Sequence, residues 1–241
     1  MPKNSITTPA KPYNPIIWLI PTLILGTLLR FYNNTAVALW HDEAFSALYI
    51  RYPFKEMMYR IGLDVHPPLY YWVLKAWTYI FGQSLLSLRS LSILFGVLTI
   101  YAGYLFVRKA FNNDRLAVVA AFFLAINPFQ IQYSLEARMY TLGTFLIMLS
   151  SYLLVCALES NKTRTWIWFG LATAASLYTH YYLVFSIAAQ GLYVIYYLFK
   201  THRFTLSFRD NLFYKSMGSF STMFKKVYSK SPTEWRNGLH G

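Results

Sequence analysis

A pair of adjacent carboxylates, and a histidine beside a third carboxylate, are the side chains of this sequence best suited to chemistry. Asp42 and Glu43 come shortly after the first apolar segment, and Asp64 and His66 come just before Pro67-Pro68 and an aromatic run. An Asp at a dry interface can have its pKa raised and then accept a proton from a hydroxyl, so Asp42 is a candidate general base. The alternative is that Asp42 and Glu43 cap the start of a helix.

Three further groups are candidate ligands. Arg138 can bind a phosphate or pair with a carboxylate, and the alternative is a local capping pair with Glu136. Asp64 and His66 could hold a divalent ion or contact a phosphate. Two ligands are few for zinc, however, and the alternative is loop solvation. His180 lies among tyrosines and is interpreted as an interface anchor rather than a ligand.

The composition places these residues in a membrane protein. The chain has 241 residues, of which 56% are apolar and 13% are charged, whereas soluble domains have about 45–50% apolar and about 25% charged residues. The net charge of +13 is spread over short loops and a tail and forms no single basic face, which argues against a nucleic-acid partner. The lone Cys156 excludes an intrachain disulfide and a cysteine-based zinc site.

The apolar segments predict an all-α, polytopic integral membrane protein with about six transmembrane helices. They cover about residues 16–32, 87–107, 115–132, 139–158, 165–180 and 182–199. Residues 1–15 predict a cytoplasmic tail, and residues 200–241 a basic cytoplasmic tail or a truncated end. Ala36-Val37-Ala38 is similar to a signal-peptidase site, but the preceding Arg30 and two asparagines favour a helix that is retained.

Residues 33–86 are predicted to form an outer loop with interfacial helices on the membrane surface. Phe45, Leu48 and Tyr49 are expected on one helical face. The 13 residues 69–81 are too few to span, since crossing takes about 20 residues. If they spanned, the later basic loops would face outside, against the positive-inside rule. The polar residues collected on the outer side by this topology are Asp42, Glu43, Glu56, Asp64, His66, Glu136, Arg138 and His180.

Four motifs resemble the membrane-embedded C-type glycosyltransferases, in particular the protein O-mannosyltransferase and aminoarabinose-transferase group. The motifs are Trp40-His41-Asp42-Glu43-Ala44, His66-Pro67-Pro68-Leu69-Tyr70-Tyr71, Leu88-Arg89-Ser90-Leu91-Ser92 and Glu136-Ala137-Arg138-Met139-Tyr140. The resemblance covers about residues 16–200, so 16–199 is expected to be the N-terminal transmembrane module of this group. Phe45 stands where aminoarabinose-type members carry an Arg, and full-length members have more helices.

The resemblance implies transfer of a glycosyl group from a polyprenyl-phosphate-linked sugar, with inversion at the anomeric carbon. The reaction is expected on the outside of the plasma (inner) membrane, with a protein, lipid or glycan as the acceptor. Asp42 corresponds to the first-loop Asp of the family and is expected to be catalytic together with Glu43. The substrate-binding residues are expected to be Asp64, His66, Tyr70, Glu136, Arg138 and Tyr140. No cofactor is implied, and a divalent metal stays an open alternative.

Two other functions stay open at this point. The chain could be a truncated, inactive glycosyltransferase, or it could be a non-enzymatic transporter segment or prenyl-lipid-binding partner. A transporter is expected to carry polar residues at mid-membrane on broken helices and to show inverted repeats. The reactive residues of this chain instead lie at predicted helix ends and no repeat is evident, which favours the enzyme.

Overall fold

The computed structural model describes residues 13–64, 66–201, 221–222, 224–226, 229 and 234. Its helices are α1 (Ile16–Phe31), α2 (His41–Tyr49), α3 (Phe54–Leu63), α4 (Leu69–Phe81), α5 (Leu85–Phe111), α6 (Asp114–Ile126), α7 (Pro128–Ser134), α8 (Tyr140–Ser160), α9 (Thr163–Thr179) and α10 (Leu183–Lys200). The described residues contain no strand, which confirms the all-α class. They fall into two compact units divided after Ile187. Most of the predicted tails, 1–15 and 200–241, lies outside the described residues.

Three of the described helices, α5, α8 and α10, are long and apolar enough to cross a membrane. Helices α6 and α7 meet the same criterion only together, and α1 is a shorter apolar helix of 16 residues. Length and composition therefore support three spans, or four if the bent pair counts as one. This number is smaller than the six spans predicted from the sequence, although each of the six predicted segments is helical.

The predicted continuous helix over 115–132 is wrong, because the chain bends by 56° between α6 and α7. Pro128 has no N–H and its ring excludes the carbonyl four residues earlier, so the end of α6 keeps free carbonyl oxygens. The guanidinium of Arg30 binds them, donating to Ala125 O at 2.9 Å and to Leu124 O at 3.2 Å. Its Nε also donates to Ser134 Oγ in α7, at 3.1 Å. Arg30 thereby fixes the angle of the bend.

Gly96 allows α5 to approach this junction. A Cβ atom at position 96 would lie 2.3 Å from Ser134 Oγ and 3.0 Å from Arg30 Nε. Any larger residue would therefore displace α7, whose end leads directly to Glu136 and Arg138.

Helix α4 begins and ends where the sequence predicts the surface helix, at Leu69 and Phe81. One face is fully buried, with Tyr70, Tyr71 and Leu74 at 0% exposure, whereas Tyr79 is 93% exposed. The buried face belongs to an apolar core that joins α2, α3 and α4 to α5 and α8. Helices α2, α3 and α4 are thus packed onto the ends of α5 and α8.

The helical face that Phe45, Leu48 and Tyr49 share is only partly the buried face of α2. Tyr49 is buried, but Phe45 and Leu48 are exposed, and the small residues Ser46 and Ala47 are buried instead. Small residues let α2 lie close to its neighbours. Lys75 of α4 has a structural role. Its Nζ donates to Ile50 O at 2.7 Å and to Tyr52 O at 2.8 Å, both just beyond the end of α2.

Candidate active site

The start of α2 and three links between helices bring the predicted site residues into one neighbourhood. Asp42 comes from the start of α2, and Asp64 and His66 come from the link between α3 and α4. Glu136 and Arg138 come from the link between α7 and α8, and His180 from the link between α9 and α10. Ion pairs, ring contacts and charge interactions connect them, with Arg138 near the centre.

Glu43 holds two of these segments together. Its carboxylate is fully buried and forms an ion pair with Arg89 of α5, in which Nη2 donates to Oε2 at 2.7 Å and Nε donates to Oε1 at 2.9 Å. The Ala137 N–H donates to the same Oε1 at 2.7 Å, and the Trp40 N–H donates to Oε2 at 3.3 Å. Glu43, rather than Asp42, therefore satisfies the backbone at the start of α2.

Arg89 completes this clamp. Its Nη1 donates to Asn34 O at 2.6 Å and to Val37 O at 2.9 Å, and its Nη2 donates to Ala38 O at 3.3 Å. The segment between α1 and α2 is therefore tied to α5 through one side chain. Buried charges of this kind are tolerated when they are paired and fully hydrogen-bonded, as these are.

Asp42 is the more accessible of the two carboxylates. Its side chain is 35% exposed, its Oδ1 lies 3.4 Å from His41 Nδ1, and its Oδ2 lies 3.8 Å from Arg138 Nη2. The contact between Arg138 and Asp42 is an ion pair that is too long for a hydrogen bond. An oxygen of Asp42 consequently remains available to a ligand.

Arg138 is buried but incompletely bonded. Its Nη1 donates to Asp42 O at 3.2 Å and to Ser46 Oγ at 3.5 Å, and its side chain is 6% exposed. The Tyr71 hydroxyl lies next to this guanidinium, and burial raises the pKa of Tyr71 to about 12, while the charge of Arg138 opposes the rise. Within the described part of the chain, neither Tyr71 Oη nor Arg138 Nε forms a hydrogen bond of standard geometry. Such unsatisfied buried groups are unusual in a purely structural arginine.

Glu136 is a half-buried carboxylate with no hydrogen bond or ion pair on its side chain among the described residues. Burial raises its pKa, the charges of Glu43 and Asp42 raise it further, and Arg138 opposes them. A carboxylate that is desolvated and unpaired at such a place is typical of functional sites.

Asp64 and His66 pair with each other. His66 Nδ1 lies 3.0 Å from Asp64 Oδ2 and 2.7 Å from Asp64 O, so the histidine ring is oriented by one residue. Its Nε2 is left for another partner. No group of three or more His, Cys, Asp or Glu side chains among the described residues could hold a metal ion.

Two tyrosines of the sequence prediction differ in their surroundings. Tyr140 is partly exposed, lies beside Arg138, and has its ring 4.9 Å from Tyr133 and 6.2 Å from His180. Tyr70 is fully buried, and its hydroxyl lies near Ser92, on α5. Tyr140 can therefore reach a ligand directly, whereas Tyr70 lies beneath the site.

Sequence reasoning missed three residues of this neighbourhood, namely Arg89, Tyr71 and His180. Arg89 was quoted only as part of a motif, although an arginine at the start of a long apolar helix already signals a buried partner. Tyr71 differs from Tyr70 by one position, and only the rotation of α4 decides which hydroxyl faces Arg138. The predicted topology places His180 on the same side as the other polar residues, but its neighbours His66 and Arg138 lie far away along the chain, so no local pattern indicates a role in the site.

The chain was compared with known proteins. The profile of a family described as dolichyl-phosphate-mannose-protein mannosyltransferase matches residues 65–224, about two thirds of the chain. This match confirms the resemblance to membrane C-type glycosyltransferases and, with the apolar helices, indicates an integral membrane glycosyltransferase. It includes Glu136, Arg138 and His180 and begins after Asp42 and Glu43. No curated protein matches the chain.

Proposed function

Because the chain belongs to the dolichyl-phosphate-mannose-protein mannosyltransferase family, we propose that it transfers a glycosyl group from a polyprenyl-phosphate-linked sugar to an acceptor. The acceptor is a hydroxyl of a protein, lipid or glycan on the extracytoplasmic side of the plasma (inner) membrane. The observation that carries this proposal is the meeting of an accessible carboxylate, Asp42, with a buried and incompletely bonded cation, Arg138, 3.8 Å away.

The reaction needs a base and an anion-binding group, and this neighbourhood supplies both. The acceptor oxygen attacks the anomeric carbon from the face opposite the phosphate, so the configuration inverts. The carbon–oxygen bond to the phosphate breaks, the phosphate leaves with the electron pair, and Asp42 receives the acceptor proton. The Arg138 guanidinium, together with a hydrogen bond from His66, stabilises the charge developing on the departing phosphate.

We assign Glu43 to positioning rather than to proton transfer. Both of its oxygens are engaged with Arg89 and with backbone N–H groups, and none of its surface is exposed. It sets the distance between Asp42, its neighbour in sequence, and Arg138, which follows Ala137. Glu136 and Tyr140 are partly exposed beside Arg138 and are assigned to binding the sugar or the acceptor. Asp64 orients His66. Tyr70 supports the site from below.

The test is Asp42→Asn in the full-length protein, reconstituted in vesicles with a dolichyl-phosphate mannose donor and a Ser/Thr-containing acceptor peptide. Loss of a general base costs about 10²–10⁴-fold in rate, so we expect transfer to fall by that factor with thermal unfolding unchanged. Glu56→Gln is the matched control, since Glu56 is a carboxylate of α3 whose ion pair in the described residues is with Arg60, at 2.7 Å. Normal turnover by Asp42→Asn would refute the assignment of the base.

The outward orientation has its own test. Lys55 and Lys162 are both exposed lysines, one in α3 and one between α8 and α9. In a Cys156→Ser background, we expect Lys55→Cys to react with a membrane-impermeant thiol reagent added outside intact cells, and Lys162→Cys to react only after permeabilisation. The reverse pattern would place Asp42 on the cytoplasmic side.

A further inference from the structure

His180 is held rigidly at the edge of the site. It ends α9, and its Nδ1 accepts a hydrogen bond from the Tyr182 N–H at 3.2 Å. In the neutral ring the hydrogen must therefore be on Nε2, which is a donor. The ring centroid lies 5.1 Å from that of Tyr181 and 5.3 Å from that of Tyr182, and the residue is half-buried. These contacts fix both the ring plane and the direction of Nε2–H.

His180 lies on the Arg138 side of the site, since its ring centroid is 6.2 Å from that of Tyr140, which lies beside Arg138. Burial lowers the pKa of His180, and the charges of His66 and Arg138 lower it further. These three residues come from three different links, so the fold itself gathers them. Among the described residues, the titratable rings in contact with His180 are those of Tyr140, Tyr181 and Tyr182. The carboxylate of Asp64 is engaged by His66 at 3.0 Å.

An anion between the three residues would accept hydrogen bonds from the His180 Nε2–H, from the Arg138 guanidinium and from His66. Hydrogen bonds to an anion are charge-assisted and stronger than those between neutral groups. The donor of the proposed reaction carries such an anion, because a polyprenyl-phosphate sugar is a phosphodiester with one negative charge. Among the described residues, no carboxylate is hydrogen-bonded to His180.

We propose that His180 is a further substrate-binding residue, whose Nε2–H donates to a non-bridging phosphate oxygen of the donor opposite Arg138 and His66. This inference rests on the proposed function, since it assigns the phosphate end of the donor within the same site. In this assignment the rings of Tyr181 and Tyr182 hold the imidazole of His180 in that orientation.

The inference has a signature in proton uptake. A bound phosphate raises the pKa of His180 toward its ordinary value and above, so the ring gains a proton on binding at mildly acidic pH. Affinity should therefore increase as the pH falls from 8 to 6. A ring with a merely structural role would not change its protonation when the phosphate binds.

The experiment uses farnesyl methyl phosphate, a short prenyl phosphodiester that does not titrate between pH 5 and 8, and farnesol as the phosphate-free probe. Binding to the full-length protein in nanodiscs is measured by calorimetry in two buffers of different ionisation enthalpy, which gives the protons taken up. The variants are His180→Asn, whose amide can replace Nδ1 alone, and His180→Gln, whose amide can replace the Nε2–H donor.

We expect the Kd for farnesyl methyl phosphate to rise about tenfold in His180→Asn, as for loss of a hydrogen bond to a charged group, and to rise less in His180→Gln. Binding of farnesol should be unchanged in both, and the proton uptake should be smaller than in the unsubstituted protein. An unchanged Kd in His180→Asn, or equal losses of both probes in the two variants, would overturn the assignment of His180. If the unsubstituted protein does not prefer the phosphodiester to farnesol, the proposed donor itself is wrong.

Discussion

Two buried arginines, Arg30 and Arg138, show how this fold separates structure from function. Arg30 is fully buried in α1, and its guanidinium donates four hydrogen bonds of 2.9–3.2 Å, to Gly26 O, Ala125 O, Leu124 O and Ser134 Oγ. Arg138 is nearly as buried, but its contacts measure 3.2–3.8 Å and its Nε has no regular partner in the described residues. Every nitrogen of the Arg30 guanidinium therefore has a hydrogen-bond partner, whereas Nε of Arg138 has none of standard geometry in the described residues.

This difference in hydrogen bonding distinguishes charged side chains that stabilise the fold from those that are available to bind a ligand. A buried group with every hydrogen bond made is stable without a ligand, whereas an under-bonded one keeps part of its binding capacity for something else. The Glu43–Arg89 pair belongs with Arg30 by this measure. Asp42, Glu136 and Arg138 belong with the under-bonded groups, because each keeps unused hydrogen-bonding capacity.

The largest effect expected from this comparison is a loss of stability on replacing Arg30. Arg30→Met leaves Leu124 O, Ala125 O and Ser134 Oγ without their donor, and a buried unsatisfied group costs about 1–3 kcal/mol. We expect the midpoint of thermal unfolding in detergent to fall by about 10 °C, since 1 kcal/mol corresponds to about 2–4 °C at this chain length. Arg164→Met, at an exposed position, is the control. A midpoint within 2 °C of the parent protein would show that the bend does not depend on Arg30.

Arg138→Lys is expected to lower the transfer activity and to leave the stability almost unchanged. A lysine keeps the charge but loses the planar fork that binds a phosphate through two hydrogen bonds. We expect kcat/KM for sugar transfer to fall about 10–100-fold, as for loss of a charge-assisted hydrogen bond, with little change in the unfolding midpoint. If Arg138→Lys destabilises the protein as much as Arg30→Lys does, then Arg138 is also structural and the contrast between the two arginines fails.

The smallest effect concerns Glu136 and its pH dependence. The folded state raises the pKa of Glu136, so its carboxyl favours folding when protonated, and that contribution is lost as the pH rises through the folded pKa. Glu136→Gln should therefore be slightly more stable than the parent protein at pH 7, by about 1–2 °C in the unfolding midpoint, with the difference vanishing below about pH 4. Transfer activity should fall at the same time. A variant less stable at pH 7 than at pH 4, relative to the parent, would contradict the direction of the shift.

Local patterns in the sequence were sufficient for most helix positions. Leu69–Phe81 has the predicted bounds because Pro68 precedes it and Gly82, with φ +78°, ends it. From the sequence, the polar residues could be placed only on the same side of the membrane, without their mutual contacts. The pairings themselves depend on contacts across 46 residues for Glu43–Arg89 and 104 for Arg30–Ser134, which no local pattern encodes.

Helix rotation set the remaining limit. Whether Tyr70 or Tyr71 faces Arg138, and whether Phe45 faces inward, depends on how α4 and α2 turn against α5 and α8. Both α2 and α4 carry apolar residues on more than one side, so the apolar pattern alone leaves that rotation undetermined. His180 illustrates the same limit, since its interpretation as an anchor followed from adjacent tyrosines and ignored His66 and Arg138, which lie far away in sequence.

The hydrogen bonds of Arg30 have a consequence for the order in which the chain is made. Leu124 and Ala125 are synthesised 94 and 95 residues after Arg30, which at about 5–20 residues per second means several seconds of elongation. During that interval α1 carries an arginine whose partners do not yet exist, in a segment of only 16 residues. A charge in such a helix opposes its transfer into lipid. We therefore expect α1 to stay beside the insertion machinery until α6 emerges and supplies the partners of Arg30.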